Sequence, residues 1–381
     1  MNLAETMEYF SHPADLDQGR RFRALAQGRA LAVERAIVAG APVAAAPLTV
    51  EAARQTPWRP EFGRARSLIG EGRLTAAAAQ FSLGAVGLGA AGRHCGRLEG
   101  EAPLFFEGYT VPAAGDWSLD ATEGAVTIRS EAGRVSFARG EDGWALTDHD
   151  RDVWPVRRTG HLGARYIIST RFLPPGGDFQ WPLQDEGADV DADMAELSAH
   201  DAAVVRGAWE VLLAGSERYT LWVARSASGI LFHRPIRPNV NQSGTSSAFP
   251  GLLQVSRHED PTILGEILVH ECSHQYLSLL RDFGPLADEA AGETSFSPIK
   301  KMDRPIDKVL VGAHAVGNMI LYYRDLHARG MGGHVRDRYD VLVGWFEDDY
   351  RPALDGAKTL TEGAAALWRN LAAAVTPERV H

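Results

Sequence analysis

Between residues 17 and 39 the chain reads "DQGRRFRALAQGRALAVERAIVA", and Leu25, Ala26, Ala30, Val33 and Ile37 fall at helical spacing. Gly40 and Pro42 predict where that helix ends. "RLTAAAAQFSLGAVGLGAAG" (73–92) is rich in small residues and predicts a helix at its start. From 117 to 147 the period changes. "AVTIRS", "RVSFAR" and "GWALTD" alternate apolar and polar and are broken by "EAG" and "GED", which predicts a β-meander. "ARYIIST" (164–170) predicts a further strand, and "FLPPGGDFQWPLQDEGADVDAD" (172–193) a loop and boundary. A helix follows over about 194–214, stopped by Gly215. "YTLWVARS" and "GILFHRP" then predict paired strands, "PNVNQSGTSSAF" a polar loop and "GLLQVS" (251–256) another strand. Helical patterns occupy about 261–280, 304–327, 334–350 and 358–374. The fold class is therefore α+β. Residues 1–100 form a mainly helical region, 101–185 a β-rich region, and 186–381 a helix-dominated region that holds the candidate chemistry.

Composition narrows the function classes. Of the 381 residues, 45% are hydrophobic and 23% charged, as in ordinary globular proteins. A net charge of −10 argues against nucleic acid as a partner. Cys95 and Cys272 have no metal-site spacing and fit two inert thiols in a reducing compartment. "MNLAETMEYF" shows no secretory signal, and no apolar run reaches the ~18 residues of a membrane span. The expectation is a cytoplasmic protein with no membrane partner.

The chemistry concentrates in "EILVHECSHQY" (266–276), where His270, Glu271 and His274 make H-E-x-x-H. Asp260 and Pro261 predict the helix start, as N-cap and first helical residue. One turn separates His270 from His274, so both imidazoles leave one face and can share an ion. A third ligand is needed. The metzincin extension is absent, because Leu277 and Leu280 stand where its Gly and His would be. Two choices remain open on the residues alone. One is a downstream carboxylate, Glu289 or Glu293. The other is His314, in a helix made small by Gly312, Ala313, Ala315 and Gly317 and so able to approach a neighbour closely. "GLGAAG" (87–92) matches G-x-G-x-x-G without a preceding strand or following helix and predicts a turn. "DVDAD" (189–193) lacks the Gly and terminal Glu of a calcium loop.

From "VWPVRRTG" (153–160) through "SGTSSAFPGLLQVS" and the H-E-x-x-H helix to "SFSPIKKMDRPIDKVLVGAHAVGNMILYY", the chain resembles a known family. These are the HEXXH-motif peptide-modifying proteins of ribosomally synthesised, post-translationally modified peptide (RiPP) pathways. The likeness covers about 150–327. It implies an Fe(II)- and 2-oxoglutarate-dependent dioxygenase that hydroxylates a β-carbon of a side chain in a precursor peptide. It also favours His270, His274 and His314 as the metal triad. The chain departs from the family at "SPIKK", where Ile299 replaces an aromatic residue and Lys300-Lys301 an arginine neighbourhood.

Such an oxygenase needs open metal positions and a cation for the far carboxylate of 2-oxoglutarate. Arg304 suits that role through its planar guanidinium, with Lys301 and Lys300 as substitutes. Glu271 would orient a ligand, bind water or hold the peptide. The alternative is a zinc metallopeptidase, in which Glu271 is the general base. A third reading is a catalytically inactive peptide-binding protein. "GLLQVS" is a candidate edge strand for aligning a peptide. Asn241, Ser243, Ser246 and Ser247 are candidate substrate contacts, whereas Tyr322 and Tyr323 read as core aromatics.

Overall fold

The structure is a computed structural model that describes residues 3–13, 17–40, 58–141, 143–150, 153, 156–158, 166–169, 198–233, 242–331 and 333–376. Asn241 and the loop expected at 172–193 lie outside the described residues. The architecture is mixed α+β. N-terminal helices α1 (Leu3–Tyr9) and α2 (Asp17–Gly40) precede a β-rich middle and a helix-dominated C-terminal part. The chain divides into two compact units. One comprises 1–21, 203–225 and 258–381, and the other comprises 22–202 and 226–257.

In the second of these, helices α3 (Pro60–Gly70) and α4 (Leu74–Gly87) are followed by strands β1 (Gly92–Arg97) to β7 (Gly143–His149). An antiparallel five-stranded sheet runs in the order β1-β4-β5-β6-β7, and β2 (Ala102–Phe106) pairs with β3 (Tyr109–Ala113) as a separate hairpin. The meander expected at 117–147 is β4 (Asp116–Ala121), β5 (Ala125–Ser130), β6 (Gly133–Gly140) and β7. Alternation puts Trp117, Leu119, Val126, Ile128, Val135 and Phe137 on the buried face, where they join the alanines of α4 in one core. Each large side chain so buried contributes about 1.5–3 kcal/mol. The interior of α4 also holds one amide. Gln80 donates to Phe105 O at 2.8 Å and accepts from Phe105 N at 2.7 Å, and so acts as a strand partner for β2.

This unit also contains a mixed sheet in the order β11-β12-β10-β9-β8: β8 (Val156–Arg158), β9 (Tyr166–Ser169), β10 (Gly229–His233), β11 (Ser243–Thr245) and β12 (Leu252–Ser256). "GLLQVS" does form a strand, but a central one. β12 is parallel to β10 on one side and antiparallel to β11 on the other. With both edges paired, its main chain has no row of groups to offer a peptide, so the edge-strand expectation is corrected.

The other unit holds α5 (Ala199–Gly215) from Ala203 onward, α6 (Glu217–Ser226) to Arg225, α7 (Pro261–Arg281), the hairpin β13 (Thr294–Ser297) and β14 (Met302–Pro305), and α8 (Ile306–Ala328). Then come α9 (Arg336–Gly344), a π-helical stretch Trp345–Tyr350, α10 (Arg351–Asp355) and α11 (Glu362–Val375). "YTLWVARS" was expected to be a strand and is helix α6 instead. Tyr219, Trp222, Val223 and Ser226 are buried at i, i+3, i+4 and i+7, a helical stripe that overrides the β-propensity of the individual residues.

Candidate metal centre

Helix α7 starts as its sequence dictates. The Asp260 carboxylate accepts from Thr262 N at 2.8 Å and Pro261 occupies the first helical position. Nearly every side of α7 is covered. Its partly exposed residues are Pro261, Ile263, His270, His274, Ser278 and Arg281, so the two histidines lie on the one stripe left open. Gly265 permits close packing against α8: a methyl group there would lie 2.4 Å from the Tyr322 hydroxyl oxygen.

The two imidazoles turn the same nitrogen to one spot. His270 Nε2 and His274 Nε2 are 3.0 Å apart, with the rings nearly perpendicular at 86°. Glu271 is buried, and its Oε1 lies 3.6 Å from His270 Nε2. The three donors lie within 4.8 Å of one another. Two nitrogens on a tetrahedral ion with bonds of about 2.0–2.1 Å sit about 3.3 Å apart. The donor set therefore fits a divalent ion after a shift of a few tenths of an ångström. Both rings are kept neutral. Burial lowers the His270 pKa to about 4, aided by the charges of Arg338 and Lys300. Burial also lowers that of His274, with further contributions from His270, His314 and Arg304. Neutral imidazoles offer lone pairs at neutral pH with no proton to displace.

His314 stands outside the group of three but near it. It is fully buried in α8, and its Nε2 lies 3.0 Å from Phe10 O. A carbonyl only accepts, so Nε2 carries the proton and Nδ1 the lone pair. Coordination by His314 would therefore use Nδ1. Its wall is aromatic. Trp222 is 6.2 Å from the His314 ring and stacks on Tyr276 at 3.6 Å, and Phe10 lies 5.5 Å from Tyr276. The segment around Phe10 is held in place, since Asn318 donates to Ser11 O at 3.0 Å and Asn370 to Glu8 O at 3.1 Å. The two glycines of α8 serve other neighbours than α7. Gly312 receives the Tyr350 hydroxyl and Gly317 receives Leu371.

The carboxylate alternatives face elsewhere. Glu293 accepts from Lys358 N at 3.1 Å, from Thr359 N at 2.9 Å and from the Thr359 hydroxyl. The Thr359 hydroxyl bond, with the backbone donors, holds its carboxyl below the usual range. Glu289 is exposed and lies 3.8 Å from Arg281.

The cations lie on the β13–β14 hairpin. Arg304 is half-buried opposite Ser295, and its charge reaches His274. Its side chain makes no hydrogen bond or ion pair among the described residues. Lys300 is exposed, and its charge reaches His270. Lys301 takes the left-handed turn position at φ 55°, with its N–H donating to Ser297 O at 2.7 Å. Ser243, Ser246 and Ser247 belong to the other compact unit. There the Ser246 hydroxyl accepts from Ala248 N at 3.2 Å, and Ser247 O accepts from Arg29 at 2.9 Å.

A support that sequence reasoning missed ties three helices together. Arg338 of α9 binds Glu266 of α7 at 2.6 Å, and Tyr323 of α8 donates to Glu266 at 2.5 Å. The available signal was a glutamate one turn before His270 on an otherwise apolar face. Tyr322 and Tyr323 are buried, as expected of core residues. Glu266→Ala leaves a buried phenol and a guanidinium without their acceptor. A loss of about 2 kcal/mol is expected in denaturant unfolding, with Glu266→Gln falling between it and the wild type.

Neither the protein-family models nor the curated proteins compared with this chain match it. No helix among the described residues is long and apolar enough to cross a membrane.

Proposed function

We propose that the chain is an Fe(II)- and 2-oxoglutarate-dependent oxygenase that hydroxylates a β-carbon in a ribosomally synthesised precursor peptide. The observation that carries this reading is Arg304, a half-buried residue whose charge reaches His274 and whose side chain has no acceptor among the described residues. Hydrolysis of a peptide bond has no need of such a cation, whereas a dicarboxylic co-substrate does. His270 and His274 hold the ion through Nε2. His314 is the third protein ligand through Nδ1, its tautomer set by the Phe10 carbonyl. Glu289 and Glu293 are poor candidates, since one is exposed and the other is bound by Lys358 and Thr359. Bound iron supplies O2 activation at positions the protein leaves open. In the overall reaction one oxygen atom of O2 enters the peptide C–H bond as hydroxyl. The other enters succinate as 2-oxoglutarate loses CO2. Lys300 and Lys301, exposed in the turn of the same hairpin as Arg304, are further cations.

The zinc peptidase reading draws on one specific observation, the buried Glu271 with its carboxylate 3.6 Å from His270 Nε2, where a general base would stand. The two readings separate in one assay. Purified protein with iron(II), 2-oxoglutarate, O2 and a precursor peptide should release succinate and add 16 mass units to the peptide, as ~16 is the mass of one oxygen atom in the balanced reaction. Peptide cleavage with zinc and no succinate would replace this reading with the hydrolytic one.

A further inference from the structure

The π-helical stretch Trp345–Tyr350 interrupts the path from α9 into α10, and π-turns of this kind often mark functional sites. It delivers Tyr350 to an unusual seat. The side chain is buried, with its hydroxyl shielded from solvent. That hydroxyl rests on the backbone of α8 at Gly312, where an added methyl group would lie 2.6 Å from it. The hairpin faces the same place. Ser295, Ser297 and Arg304 share the packed face of β13–β14, while Thr294, Phe296, Asp303 and Pro305 are exposed on the other. β13 itself packs against both α8 and the π-helical stretch. Ser297, buried at the end of β13, lies beside the Tyr350 phenol, whose hydroxyl has no hydrogen-bond partner among the described residues, and the charge of Arg304 reaches it. Burial raises the Tyr350 pKa to about 12, so the phenol keeps its proton and remains a donor.

We propose that Tyr350 is the second donor to the carboxylate gripped by Arg304, so that the two side chains, with Ser297 beside the phenol, form the subsite for the far carboxylate of a dicarboxylic co-substrate. This rests on the oxygenase reading above and names residues that its sequence signature does not contain. Arg304 supplies charge and two parallel N–H groups. Tyr350 supplies one directed O–H from a rigid ring. Gly312 is required because any larger residue pushes the hydroxyl away.

The test is calorimetric titration of iron(II)-loaded protein without O2, using 2-oxoglutarate and 2-oxopentanoate, which lacks the far carboxylate. Wild type should prefer 2-oxoglutarate. Tyr350→Phe should lose about 10-fold or more in 2-oxoglutarate affinity with its iron content and 2-oxopentanoate affinity unchanged, as expected for one hydrogen bond to a charged group. Gly312→Ala should act in the same direction by displacing the phenol. If wild type binds 2-oxoglutarate and both variants bind it equally well, the subsite is wrong while the oxygenase reading stands. Equal loss of both acids, or loss of iron, assigns Tyr350 to packing alone and also overturns it. If wild type binds no 2-oxoglutarate, the oxygenase reading itself falls.

Discussion

His274→Ala will purify without stoichiometric iron or zinc and will show no turnover, while its unfolding transition stays near that of the wild type. The expectation follows from how the site is built. The two Nε2 atoms, 3.0 Å apart on the open stripe of α7, are the shared core of every reading of this centre. Complete sites of four ligands bind zinc with about 10–16 kcal/mol, or about 3 kcal/mol per ligand, so one deletion costs about 10²-fold or more in affinity. Folding should suffer little, because the residue is partly exposed and its Nδ1 has no hydrogen-bond partner among the described residues. The same measurement on other positions settles the third ligand. His314→Ala should lose metal to a similar degree, whereas Glu293→Ala and Glu289→Ala should keep it. Metal retained by His314→Ala and lost by Glu293→Ala would move the centre into the glutamate class. Glu271→Gln then separates the chemistries. It should keep its metal under either reading, and only under the peptidase reading should it lose all activity. Metal content is read by elemental analysis of protein purified without chelator.

The parts of this centre that were legible are those whose cause is local. Asp260-Pro261 announces a helix start, and a four-residue spacing of histidines puts both on one face, whatever lies around them. Distant partners leave no such mark. Glu266 and Arg338 meet across 72 residues, and Tyr350 reaches Gly312 only because a π-turn re-aims it. The small residues flanking His314 were legible as a place of close approach, yet sequence could not say what approaches. At Gly312 and Gly317 the partners are Tyr350 and Leu371. "YTLWVARS" failed in a different way. Aromatic and β-branched residues favour strands singly, and the helical stripe formed by Tyr219, Trp222, Val223 and Ser226 outweighs them once there is a core to bury it in. "GLLQVS" was legible as a strand but not as a central one, since neighbours in a sheet are set by the whole topology. "GLGAAG" splits into separate duties. Gly87 gives room to an arginine, and Gly89 and Gly92 take positive φ of 101° and 140° between α4 and β1.

The arginine over Gly87 carries the largest expected effect on stability. Arg59 is buried at 2% exposure between two buried carboxylates. It donates to Glu61 at 3.2 and 3.3 Å and also to Glu107. Glu107 takes positive φ at 50°, and its N–H donates to Glu61 at 2.9 Å. The network thus fixes the turn of the β2–β3 hairpin to the start of α3. Arg59→Ala removes the cation that bonds both Glu61 and Glu107, leaving two buried carboxylates without it. Breaking a buried ion pair from one side costs about 3–5 kcal/mol, several times the worth of the intact pair. For a chain of 381 residues, with an unfolding entropy of ~2.1 cal/mol/K per residue, about 3–5 kcal/mol corresponds to roughly 4–6 °C in Tm. Gly87→Ala should move in the same direction by a smaller amount, because its methyl group would meet the guanidinium at 2.6 Å. Pairing Arg59→Met with Glu61→Gln and Glu107→Gln removes the charges together and should recover much of the loss. If Arg59→Ala melts within a degree of the wild type, the two carboxylates have found water, and the network does not hold the hairpin as described.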